Sequence, residues 1–236
     1  GTGAINQAVI GENNPNYMFF SDGGDLAKTS DGGQNYKSLT QPVNHFVTDI
    51  AMAPGNDSIV VIVNDQWQNN GGKIFVSRDF GESWGNHTYN LGDMPLRSVI
   101  IDHTDDMNIY VGAEIGLYFK GLKDSIWTLF NENLPNVSIR DIKIHRGSNT
   151  LRAVSWGRGL FEVKLPGRED FPSIERVYMT QPNSLSQPKK GVDNYIYAEI
   201  DYAGTLSSVN LSWGENHLNL DTTEAMVLQS GNLYRS

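Results

Sequence analysis

The chain has 236 residues, a formal net charge of −9 and no cysteine. An acidic chain repels phosphate backbones and anionic membrane surfaces, so no nucleic-acid partner is expected, and without cysteine there are no disulfides, zinc–thiolate centres or cysteine nucleophiles. The longest apolar run, IVVIV at 59–63, is strand-sized and far short of the ~18 residues of a membrane span, so no membrane insertion is expected.

Glycine is abundant at 24 residues, and asparagine, serine and threonine are common. That composition suits many tight turns and little helix. The opening GTGAINQAV has neither the basic nor the hydrophobic region of an export signal. Removal of a signal and a natural start further upstream are both left open.

From Ile5 onward the chain repeats itself. INQAVIGENNPNYMFFS, VTDIAMAPGNDSIVVIV from Val47, LRSVIIDHTDDMNIYVG from Leu96 and IRDIKIHRGSNTLRAVS from Ile139 align. Each reads as an alternating apolar strand, a polar turn and a second apolar strand. Ala8, Ile50, Val99 and Ile142 hold the same place, at separations of 42, 49 and 43 residues (50−8, 99−50, 142−99). Short strands at a period of ~40–50 are the signature of β-propeller blades.

After each pair comes a loop, at residues 22–26, 64–73, 113–117 and 155–160, and then a third strand. Next follow TSDGGQNY at 29–36 and SRDFGESW at 77–84, which share Ser/Thr-x-Asp-x-Gly-x-x-aromatic. Asp31 and Asp79 suit an Asx-type turn that accepts backbone N–H groups. Gly33 and Gly81 suit positive φ, and the hydroxyl of Ser77 sits at the turn's entrance. Tyr36 and Trp84 are expected to fold back and plug the space between blades. These residues are read as structural. The motif resembles the Asp-box, or BNR repeat, of sialidases, sortilins and xyloglucanase-type glycosidases. The resemblance implies an all-β Asp-box propeller, of which about four blades are present.

The third repeat has Leu122 where the motif has Asp, though Trp127 is kept, and the fourth stops after its third strand. Propellers in the resembled family usually have six or more blades. The favoured reading places further blades before residue 1 and makes the chain part of a longer one; a compact four-bladed ring is the alternative. The repeat ends near GREDFPSIERVY, giving a propeller segment at 1–166 and a second segment at 167–236. The strand-like runs of the second loosely resemble an immunoglobulin-like or fibronectin type III-like β-sandwich, cut short. The order propeller then sandwich resembles exported or surface proteins of Bacteroidetes-like bacteria.

In a propeller the loops between strands two and three share an end with the connections to the next blade, where ligands usually sit. The loop NDQWQNNGG carries Trp67 among Gln66, Asn69 and other amides. A ring beside amides suits a sugar, and packing against a neighbouring loop is the plainer reading. Trp156 and Arg158 in SWGRG are further candidates, the plainer reading being an inter-blade plug with a paired arginine. Glu114 completes the ligand set. Glycoside hydrolysis needs two carboxyl groups ~5–10 Å apart. Asp22, Asp25, Asp65, Asp93 and Glu114 show no such pairing in sequence, and Asp49 and Asp141, matched in the repeat, read as structural. Histidines are scattered and DHTDDMN reads as a solvated turn, so no metal and no cofactor are expected. The expected function is a secreted or cell-surface propeller binding a glycan or protein partner. The alternative is a glycoside hydrolase, xyloglucanase- or sialidase-like, whose site is shared with blades outside this chain.

Overall fold

The structure, a computed structural model, describes residues 4–42, 44–68, 71–103, 107–130, 134, 136–165, 173–180, 195–201, 206, 208–213, 222–230 and 233–235. The chain divides into two compact units, Gly1–Ile144 with Leu151–Val163, and His145–Thr150 with Lys164–Ser236. Among the described residues no helix is long and apolar enough to cross a membrane.

Small antiparallel sheets follow one another along the chain. Sheet 1 is β1 (Gln7–Ile10), β2 (Met18–Ser21), β3 (Leu26–Thr29) and β4 (Lys37–Leu39), hydrogen-bonded in that order. Sheet 2 repeats the meander with β5 (Val47–Ala53), β6 (Asn56–Asn64), β7 (Ile74–Ser77) and β8 (Gly85–Asn86). Sheet 3 does so with β9 (Leu96–Ile101), β10 (Asn108–Ala113), β11 (Leu117–Gly121) and β12 (Thr128–Leu129). β13 (Ile139–His145), β14 (Thr150–Ser155) and β15 (Gly159–Lys164) form a three-stranded sheet 4.

Strand register explains how the sheets stack. Ala8 lies opposite Phe20, and Phe20 opposite Ala27; Ile50, Ile62 and Phe75 form the same row in sheet 2, and Val99, Val111 and Tyr118 in sheet 3. Because side chains alternate across a strand, neighbouring rows face the other way. One face of sheet 1, with Val9, Phe19, Leu26 and Leu39, meets the Ile50–Ile62–Phe75 face of sheet 2 in a common core. The far face of sheet 2, with Ala51, Val61 and Val76, meets the Val99–Val111 face of sheet 3. The far face of sheet 3 carries Tyr110, Phe119 and Phe130 in ring contact at 5.5–5.9 Å.

The two Asp turns share one wiring. The Thr29 hydroxyl donates to Asp31 at 2.7 Å and accepts from the Gly33 amide at 3.1 Å. Ser77 does the same with Asp79 at 2.8 Å and Gly81 at 2.7 Å. Each carboxylate also accepts the amide four residues on, from Asn35 and Ser83, both at 2.9 Å. These bonds hold Asp31 at a pKa of about 2, the Asn35 amide contributing most. Asp79 is likewise held at about 2, the Ser83 hydroxyl first among its causes. Gly33 and Gly81 have φ of +88° and +81°, where a side chain is strained.

The aromatic that ends each turn behaves differently in the two. Trp84 packs against the core between sheets 1 and 2, as expected of a plug. Tyr36 does not plug anything: it is 73% exposed. The reason is positional. Trp84 is covered by sheet 1, whereas no described sheet of the same unit lies on the Ala8–Phe20–Ala27 face that Tyr36 borders.

The third turn reverses the polarity of the other two. Lys120 pairs with Ile109 in the row where Ser77 pairs with Val60 and Thr29 with Met18. Its ammonium is buried and donates to the carbonyls of Gly121 at 2.9 Å and Asp124 at 3.1 Å. The rings of Trp127 and Tyr89 flank it at 5.3 and 5.5 Å. Leu122, at the aspartate position, is buried in the adjoining core.

In the second unit β16 (Ser173–Thr180), β17 (Tyr195–Asp201), β21 (Leu233–Arg235) and β20 (Val227–Ser230) form a four-stranded sheet in that order, and β18 (Asn210–Trp213) pairs with β19 (Thr222–Ala225). Ala198, Ile200 and Met226 make a small core with Ile196, Leu211 and Tyr234.

Candidate functional site

In an antiparallel meander the β2–β3, β6–β7, β10–β11 and β14–β15 loops leave their sheets at the same end, opposite the Asp turns. Backbone bonds tie these loops to the strands that open the sheets. The Val47 amide donates to Gly23 at 2.8 Å, Gly116 to Val137 at 2.9 Å and Trp156 to Ser138 at 2.8 Å. The end is therefore a braced rim.

Lys73 is its central brace. The side chain is fully buried, and its ammonium donates to the carbonyls of Trp67 at 3.0 Å, Gly92 at 2.9 Å and Met94 at 3.1 Å. Asp93 lies 3.9 Å away. Burial lowers the lysine's pKa and Asp93 opposes the fall. Three acceptors for three N–H bonds satisfy the group fully, and they hold the Trp67 loop against the connection leading to β9. A single lysine after a run of amides and glycines carries no sign of this in sequence.

Trp67 stands out from that loop at 61% exposed. Gln66 is half-buried and its backbone N–H donates to the Asn64 side-chain oxygen at 3.2 Å. Asn69 lies outside the described residues. Trp156 is 72% exposed. The Arg140 guanidinium sits over its ring, 4.9 Å from the centroid, so its partner is Arg140, and it is no inter-sheet plug. Arg158 is exposed beside it. Glu114 accepts from Arg97 through Nε at 3.0 Å and Nη2 at 2.8 Å on one oxygen. That pairing holds Glu114 below the usual carboxylate range, with Arg140 adding to it. Ile115, on the β10–β11 loop, is half exposed at 51%.

Two of the carboxylates at this end, Asp22 and Asp49, are engaged in structure. Asp22 caps its own turn, accepting from Gly24 at 3.0 Å and Asp25 at 2.7 Å, which lowers its pKa, the Asp25 amide contributing most. Asp49 is the carboxyl that burial pushes up. It lies on β5, where its oxygens accept from Ile50 and Val99, both at 2.9 Å, and so join β5 to β9. A general acid needs a raised pKa and an open path to substrate. Asp49 has the first, but its oxygens are spent on backbone. Among the described residues no group of three His, Asp or Glu side chains is placed to hold a metal ion.

No family model and no curated protein matches the chain. Solved structures do. An auxiliary nutrient binding protein from Bacteroides thetaiotaomicron matches at TM-score 0.54 and 11% identity, over 84% of this chain and 53% of that one. YCF48 bound to D1 peptide matches at TM-score 0.51 and 16% identity, over 71% of this chain and 52% of that one. An ancestral GH74 enzyme shows a weaker likeness, TM-score 0.40 at 14% identity, over 82% of this chain and 38% of that one. The chain thus spans about half the length of the first two and less of the third. Such likeness speaks to fold: an all-β protein of the β-propeller type.

Proposed function

We propose that the chain is a non-catalytic binding module of a secreted or cell-surface protein, and that its loop end holds a glycan or a protein partner. The observation that carries this is the pair of exposed indoles, Trp67 at 61% and Trp156 at 72%, on braced loops of one end. Large rigid rings held out to solvent cost contact with water and gain only when a partner covers them. Amides beside Trp67 and arginines beside Trp156 supply directional donors. The hydrolase alternative is less well supported, because Glu114 is committed to Arg97.

The finer assignments belong to the same proposal. The Thr29–Asp31–Gly33 and Ser77–Asp79–Gly81–Trp84 turns are Asp-boxes, and their shared wiring supports this. The segment at 167–236 is an immunoglobulin-like or fibronectin type III-like sandwich fragment after a partial propeller of about four blades at 1–166. No cofactor is needed for such binding.

Screening of the chain on glycan and peptide arrays, followed by tryptophan-fluorescence titration of any hit, tests the reading. Trp67→Ala and Trp156→Ala are each expected to weaken binding by about tenfold or more, the ~1.4 kcal/mol or more of a buried aromatic anchor. Unchanged affinity in both variants removes this end from the binding surface.

A further inference from the structure

The Ala8–Phe20–Ala27 face of sheet 1 is apolar and uncovered. Ile10 is 57% exposed, Ile5 66% and Tyr36 73%. Beside them opens a cavity of about 350 Å³ lined by Ile5, Phe20, Ala27, Gly33, Tyr36 and Ser38, with Asp22 and Asp25 of the β2–β3 loop also in its wall. The equivalent row of sheet 2, Ile50, Ile62 and Phe75, is 6%, 3% and 4% exposed, because sheet 1 lies on it.

The glycines of the two Asp turns show what is missing. A Cβ built on Gly81 meets Phe19 Cε1 at 2.8 Å and Leu39 Cδ1 at 3.0 Å, so two apolar side chains of sheet 1 press directly on that turn. A Cβ built on Gly33 meets nothing within 4 Å, and Gly33 lines the cavity. The same turn thus has a filled socket in sheet 2 and an open one in sheet 1. Two further bonds close the filled one: Glu82 accepts from Lys28 and Lys37 of sheet 1, both at 2.7 Å.

We propose that this face is an inter-sheet interface. Its occupant is a further four-stranded sheet of the same repeat, N-terminal in the same polypeptide, which inserts an apolar pair at Gly33 as Phe19 and Leu39 do at Gly81. Sheets 2 and 3 each present this face to the sheet that precedes them in the chain, so order along the chain continues the series. A second copy of the chain is a poor fit through its sheet 4. With Leu151 and Ala153 buried, the other face of that sheet carries the charges of the ion pair Arg152–Glu162 at 2.5 Å. Docking them on an apolar socket strips charges of water.

This chain has no cysteine, so a single introduced thiol is a clean reporter in it; any cysteine in the added N-terminal sequence is first replaced by serine. S38C lies in the cavity wall and D93C at the opposite, loop end. In this chain both are expected to react with a maleimide at similar rates. In the polypeptide extended to its natural N-terminus, S38C is expected to slow at least about 100-fold while D93C is unchanged. Equal rates in both lengths, or the lack of any N-terminal extension, overturns the proposal. Slowing in the short chain that grows with its concentration assigns the face to a second copy and also overturns it. Thermal melting of Y36A provides a reading that does not depend on S38C folding. The substitution should leave the short chain's Tm nearly unchanged and lower that of the extended polypeptide by several degrees. A shift of the same size in both contradicts the proposal.

Discussion

Ser77→Ala isolates the hydroxyl that holds the second Asp turn. Ser77 is 1% exposed, and its oxygen accepts from the Gly81 amide at 2.7 Å and, more weakly, from Asp79 at 3.3 Å. It also orients the Asp79 carboxylate by donating to it at 2.8 Å. Alanine leaves the buried Gly81 N–H without its acceptor, and Phe19 and Leu39 crowd that glycine, so water has little access. An unsatisfied buried donor costs about 1–3 kcal/mol; the long Asp79 bond adds little, so about 2 kcal/mol is expected. For a protein of this size that lowers Tm by about 4–8 °C. Ser77→Thr is the control, since Thr29 makes the same bonds in sheet 1; it should stay within about 0.5 kcal/mol of the parent. Urea unfolding followed by circular dichroism, with the parent slope retained, gives both numbers. A parent-like Ser77→Ala, or a Ser77→Thr as unstable as the alanine, would show that the hydroxyl does not hold the turn.

Lys120 makes the third turn respond to alkali. Burial is the main cause that lowers its pKa to about 8, so from about pH 8 to the ordinary lysine range the unfolded chain binds more protons than the folded one, and stability rises with pH there. Lys120→Met should reduce that rise between pH 8 and 9.5, below the raised ionisation of Tyr118, leaving only the part that the buried Lys73 adds with the same sign; an undiminished rise refutes the assignment. His87 acts at the acid side: burial first, then the nearby cations Lys120 and Arg78, hold its pKa at about 4. Its contribution is complete above pH 6.5 and lost as pH falls towards 4, so His87→Gln should flatten the stability profile in that window. Arg97→Ala should let the pKa of Glu114 climb back towards the ordinary range, read by carbon-detected NMR titration; a Glu114 that stays depressed would mean that other groups hold it.

Why the sheets were readable from residues and the rim was not has a common physical origin. A strand buried on both faces must repeat apolar residues at fixed spacing, so Ile50, Val99 and Ile142 announce their rows. The Asp turns need a hydroxyl, a carboxylate and a positive-φ glycine within five residues, and such local chemistry survives in a one-dimensional string. Tyr36 shows the limit of that logic. The motif calls for an aromatic, and it is there, but what covers it belongs to another sheet. Lys73 shows the limit from the other side. Its carbonyl partners are backbone groups at Trp67, Gly92 and Met94, and a carbonyl leaves no mark on residue identity. Lys120 lies between these cases. The register that pairs it with Ile109 puts an ammonium where its neighbours have a hydroxyl, and the Leu122 that replaced the aspartate was the only trace. A turn can thus be pinned by a donor reaching carbonyls as well as by an acceptor reaching amides. The missing aspartate therefore marks an exchange of polarity in the pin, not a lost turn.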